Sequence, residues 1–157
     1  MYKLEHVTHK KKLYIKIRNE VGKEVYVIKD SYHLFSKVAH IKNSQGQEVA
    51  EVHQLPGITP CSKVSCTTGA KFKVIQAFSM RPQFNIQNSD FKIEGRIYDT
   101  DYVITKQGKE ILRCRSGDGR EKKLKYIDVY WEKYEIEAIS IVIAIEAAKR
   151  NLFVSSR

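Results

Sequence analysis

The residues best suited to hold a metal or act as nucleophiles are three cysteines and five histidines. Cys61 and Cys66 form a C-x4-C pair, and two thiolates can make half of a tetrahedral zinc site, with His53 or Cys114 as further ligands. No second paired motif accompanies them, so the spacing favours small residues beside a strand over a metal centre. His6, His9, His33, His40 and His53 show no H-E-x-x-H pattern. His6 and His9 could flank an anion, but a solvated strand or N-terminal arm is the expected place for them. Neither a G-x-S-x-G elbow nor a Walker phosphate loop occurs. Gly117-Asp118-Gly119-Arg120 reads as a hairpin turn. These motifs give no reason to expect catalysis, a metal or a cofactor.

Charge offers a different chemistry. The chain carries 28 Lys and Arg against 18 Asp and Glu, a formal net charge of +10. Such a surplus favours anionic partners: membrane lipid headgroups, nucleic acid or acidic protein surfaces. Two stretches concentrate it. Lys10, Lys11, Lys12, Lys16 and Arg18 form a run without a carboxylate. Arg113, Arg115, Arg120, Lys122, Lys123 and Lys125 outnumber Asp118 and Glu121 around them. On a strand, Lys12, Tyr14, Lys16 and Arg18 share one face at intervals of about 7 Å, close to the spacing of phosphates or headgroups. The bland alternative is a solvated sheet face, on which lysine is common. Cations elsewhere, such as Lys42, Lys106 and Lys109, serve as comparators that such a patch should outperform.

The elements that must carry these side chains are strands. Residues 17–25 (IRNEVGKEV), 41–49 (IKNSQGQEV) and 104–111 (ITKQGKEI) repeat one pattern: an apolar alternation, a polar turn with one glycine, then glutamate and a second apolar run. A weaker unit centres on Gly69. The pattern is that of a β-hairpin, with glycine supplying the positive φ of the turn. Units this short leave no room for a crossover helix, so antiparallel pairing is expected. Leu124–Trp131 reads as a further strand, rich in tyrosine and β-branched residues.

The C-terminal segment differs in kind. Ile139, Ile141, Val142, Ile143 and Ile145 are β-branched, which suits a strand. The acidic entry (Glu135, Glu137), the basic exit (Lys149, Arg150) and the length suit a helix, predicted within residues 136–150. A helix apolar on nearly every side must be enclosed, and this one is too short to span a bilayer, which takes about 20 apolar residues.

A basic chain of repeated hairpins around Gly22, Gly46 and Gly108, with the aromatic strand Tyr126–Trp131 and the terminal Ile139–Ala148 segment, resembles the LURP-one-related family. That family is grouped with the Tubby C-terminal-like barrels and the phospholipid scramblases. The resemblance covers essentially the whole chain. It implies a mainly β fold over residues 1–157 as a single domain: an antiparallel barrel of about twelve strands enclosing the hydrophobic C-terminal helix. Tubby-type relatives bind phosphoinositides through basic residues on the barrel exterior, but no residue of theirs matches one by one here. The scramblases' lipidated cysteine-rich stretch has no counterpart, because Cys61 and Cys66 stand alone.

The expected function is therefore a non-catalytic barrel that binds anionic phospholipid headgroups peripherally. Nucleic-acid binding or protein interaction is the alternative. With no apolar leader, no transmembrane run and sparse cysteines, a cytoplasmic location, at or near the membrane, is expected.

Overall fold

The computed structural model describes residues 1–10, 12–33, 36–77, 83–97, 99–118 and 124–155. Among the described residues, twelve strands precede one α-helix. The first eight are β1 (Tyr2–His9), β2 (Lys12–Arg18), β3 (Glu24–His33), β4 (Ser36–Asn43), β5 (Glu48–Leu55), β6 (Cys61–Cys66), β7 (Lys71–Ala77) and β8 (Gln83–Gln87). They are followed by β9 (Phe91–Arg96), β10 (Asp101–Lys106), β11 (Lys109–Ser116) and β12 (Lys125–Val129), then a 3-10 turn (Glu132–Tyr134) and helix α1 (Glu135–Ser155). Every ladder is antiparallel, and the order is β8-β7-β6-β5-β4-β3-β2-β1-β12-β11-β10-β9. The sheet wraps into a nearly closed barrel whose seam lies between β8 and β9. The turns around Gly22, Gly46, Gly69 and Gly108 share one end with the start of α1. Lys10, the 56–60 connection and the far part of α1 share the other.

The repeated pattern is a repeated backbone. Asn19 Oδ1 accepts hydrogen bonds from the N–H groups of Val21 and Lys23, at 3.2 and 2.9 Å. Asn43 does the same for Gln45 and Gln47, both at 3.0 Å. In both turns the glycine (Gly22, φ 85°; Gly46, φ 77°) closes the loop in the left-handed region. The weaker unit at Gly69 keeps the same backbone bonds, Cys66 N–H to Ala70 O and Gly69 N–H to Cys66 O. The 104–111 unit, though closer in sequence, is a tighter turn: Gln107 and Gly108 are both at positive φ, and Lys106 pairs directly with Lys109. Register shifts at Ile17/Arg18, Ile41/Lys42 and Ile104/Thr105 mark a bulge in the same place of three hairpins. Each bulge turns two successive residues of the return strand inward, so Val49 with Ala50, and Ile111 with Leu112, are both buried.

Helix α1 fills the barrel. Ala138, Ile139, Ser140, Ile141, Val142, Ile143, Ala144 and Ile145 are each at most 1 % exposed. Burying an Ile contributes roughly 1.5–3 kcal/mol, so this row outweighs the modest helix propensity of its β-branched members. Carboxylates tie the helix at its start and at its middle. Tyr2 and Tyr26 hydroxyls donate to Glu135 at 2.8 and 2.5 Å, and the Thr68 hydroxyl donates to Glu137 at 2.7 Å. Immediately after the apolar row, Glu146 receives His6 Nε2 at 3.2 Å and the Lys125 ammonium, with Lys149 at 4.0 Å. Burial alone would raise the Glu146 carboxyl, but the His6 bond and the two ammoniums outweigh it and hold the group at about 2. His6 is thus tied into the barrel instead of lying on a solvated arm.

Candidate anion-binding groove on the outer face

The outward residues of β1–β4 form rows across the sheet. Glu5, Lys16, Val27 and Lys42 lie in one row, and Val7, Tyr14, Lys29 and His40 in the next. A groove of about 720 Å³ runs over these rows and reaches the Gly22 and Gly46 turns. Val7, Tyr14 and Val27 give it an apolar floor, and Lys16, Lys23, Lys29 and Lys42 surround that floor. Glu24 is the carboxylate among its lining residues. Lys16 donates to Glu24 at 2.8 Å, with Arg18 at 3.6 Å, and these cations hold the Glu24 carboxyl below its ordinary range. Among the described residues, Lys23, Lys29 and Lys42 have no carboxylate within ion-pair distance; Lys29 sits 6.0 Å from the Tyr14 ring. The groove therefore presents unpaired ammoniums over apolar surface, a combination suited to a phosphate attached to an apolar body.

The cations singled out from the sequence scatter more than their spacing implied. Lys10 and Lys12 are exposed at the β1–β2 turn, where Lys12 pairs in register with the groove residue His9, and Lys16 lines the groove. Arg18 is held by Glu5 at 2.6 Å. Arg113 is held by Asp101 at 3.0 Å and Arg115 by Asp128 at 3.7 Å. Lys125 points into the barrel against Glu146 and does not face outward. Lys11, Arg120, Lys122 and Lys123 lie outside the described residues. A row Arg18–Lys3–Tyr126–Arg115 does join the two basic stretches across β2, β1, β12 and β11. Its central tyrosine carries Lys3 at 5.8 Å and Arg115 at 6.0 Å over the ring. Its arginines, however, are matched by carboxylates.

Sequence reasoning missed Lys23, Lys29 and Lys42, and treated Lys42 as a comparator. The available signal was the 24-residue offset, which sets Lys42 on Arg18. The cysteines are dispersed: Cys66 lies 3.7 Å from Ser140 inside the barrel, and Cys114 is buried on β11 beside Tyr102. Burial pushes both thiols up to about 11.

A twelve-stranded, nearly closed antiparallel barrel threaded by its own C-terminal helix defines the class of protein. The LURP-one-related family profile matches residues 5–144, and the chain belongs to that family. No curated protein and no solved structure matches it. Among the described residues, no helix is long and apolar enough to cross a membrane.

Proposed function

We propose that this barrel is a non-catalytic module that binds the anionic headgroups of a membrane surface through the β1–β4 groove. The observation that carries the reading is the set of unpaired ammoniums of Lys23, Lys29 and Lys42 around the Val7–Tyr14–Val27 floor. A phosphate gains charge-assisted bonds there, while the adjoining glycerol and acyl carbons cover the floor. The exposed apolar side chains support the same orientation. Met1, Val21, Tyr130 and Trp131 are exposed at the end of the Gly22 and Gly46 turns, whereas Ile58 is exposed at the opposite end. Val21, at 86 % exposed, neighbours Lys23 in the same turn. Aromatic and aliphatic tips beside lysines suit the interface between headgroups and acyl chains.

Catalysis is not part of the proposal. The helix fills the barrel axis, where a central substrate would sit. Both buried thiols are held as neutral S–H groups, and a neutral thiol is a poor nucleophile.

Sedimentation with vesicles tests the proposal. The protein should pellet with vesicles containing phosphatidylserine or phosphoinositide and stay in the supernatant with phosphatidylcholine alone. Lys23→Glu/Lys29→Glu/Lys42→Glu should abolish pelleting at 0.15 M salt. Lys63→Glu/Lys71→Glu/Lys73→Glu, the same charge change on β6 and β7, should leave most of it. Equal losses in the two triple variants would reduce the effect to net charge. Binding to single-stranded oligonucleotides without vesicle pelleting would favour nucleic acid instead.

A further inference from the structure

We propose that His40, Glu48 and Glu51 form a surface site for a divalent transition-metal ion of the zinc or manganese type. The three side chains project from the outer face of β4 and β5, and their ligand atoms lie within 4.8 Å of one another. His40 Nδ1 contacts Glu48 Oε1 and stands 3.4 Å from Glu51 Oε1. His40 and Glu51 are direct cross-strand partners. Glu48 and Glu51 are three positions apart, so a regular strand would send them to opposite faces. The bulge after Ile41 turns Val49 and Ala50 inward together, and this brings both carboxylates to one side of the sheet.

The first hairpin supplies an independent comparison, because a 24-residue offset superposes the two units. Glu48 stands where Glu24 stands, His40 where Lys16 stands, and Glu51 where Val27 stands. In the first hairpin one carboxylate faces two permanent cations, Lys16 Nζ at 2.8 Å and Arg18 at 3.6 Å from Glu24. In the second, the ammonium gives way to an imidazole and a second carboxylate is added. An imidazole carries at most one positive charge, and only when protonated, so it cannot balance two carboxylates. The neighbouring ammoniums do not make up the difference. Lys42 opposes Glu48 in register and Lys29 opposes His40, yet neither lies within ion-pair distance of these carboxylates among the described residues. A divalent cation restores the balance that Lys16 and Arg18 supply in the first unit.

The imidazole is also set for ligation. Ser31 Oγ lies 2.8 Å from His40 Nε2. When a metal takes Nδ1 in place of the proton shared with Glu48, Nε2–H can donate to that hydroxyl, the arrangement common among metal-bound histidines. One nitrogen and two carboxylate oxygens suit zinc or manganese better than calcium or magnesium, which favour all-oxygen shells. The outer face leaves the remaining coordination positions to water.

Calorimetric titration of the full chain with Zn2+ tests the assignment, in a Cys61→Ser background that removes the half-buried thiol. One equivalent should bind, and Mn2+ should compete and give a bound-state electron paramagnetic resonance spectrum. Glu51→Gln and His40→Lys should each weaken binding on the order of 100-fold, and Ser31→Ala about 10-fold. Glu24→Gln, at the matching position of the first hairpin, should change nothing. The thermal midpoint without metal reports whether each variant folds, and the exposed Glu51 keeps the test valid if His40→Lys does not. Absence of saturable Zn2+ binding would overturn the proposal, as would undiminished binding in Glu51→Gln.

Discussion

Glu146 concentrates the energetics at the residue scale. It is 3 % exposed, on the face of the helix that meets His6 and Lys125. Its folded-state value of about 2 lies below the glutamate value of about 4.3 in an unfolded chain. A depressed carboxyl stabilises the fold above its unfolded value, and that contribution disappears as pH falls through its folded value. The span corresponds to something on the order of 3 kcal/mol, lost between about pH 5 and pH 2. Urea unfolding against pH should therefore show a steep acid limb that Glu146→Gln flattens. Near neutral pH the same variant should be less stable, because Lys125 and Lys149 lose their buried counter-charge. Superimposable acid limbs would show that Glu146 does not set the acid response. This role was not legible in the sequence. Lys125 closes a basic run in the sequence, and only the β12–β1 pairing beside α1 brings it to Glu146.

At the scale of elements, the hairpins and the helix were legible because each rests on local chemistry. Gly22 and Gly46 with their asparagines announce turns, and Ile139–Ile145, apolar but for Ser140, has nowhere to go but inside. Bulges and registers were not legible, since they depend on partners far along the chain. Gly95 shows the difference. It sits in β9 at φ 120°, and a Cβ there would lie 2.6 Å from Asp101 O and 2.8 Å from Tyr102 Cα. The close approach belongs to the β9–β10 pairing, and no turn signal surrounds it. Gly95→Ala should cost at least ~2 kcal/mol, from strain and backbone displacement together. Gly22→Ala should cost about 1 kcal/mol, since nothing lies within 4 Å of its added Cβ and only the backbone conformation is penalised. Chemical denaturation midpoints distinguish the two. Equal shifts would mean that the β9–β10 contact is looser than its geometry.

For the whole molecule, charge follows architecture. Arg18, Arg113 and Arg115 are bound to carboxylates across strands, while Lys23, Lys29 and Lys42 are gathered without such partners over one apolar groove. The sequence displayed the surplus of +10 but grouped it by adjacency along the chain. The sheet groups it by register, which is why Lys42 moves from comparator to candidate. The most direct measurement is a 15N–1H correlation spectrum of the folded protein titrated with a soluble short-chain phosphoinositide at 0.15 M salt. The expected result is saturable shifts at the amides of Val7, Tyr14, Val27, Lys29 and Lys42, with those of Arg113 and Arg115 unmoved. Saturable shifts centred on β10–β12, or shifts spread over the surface without saturation, would contradict the groove as the anion-binding site.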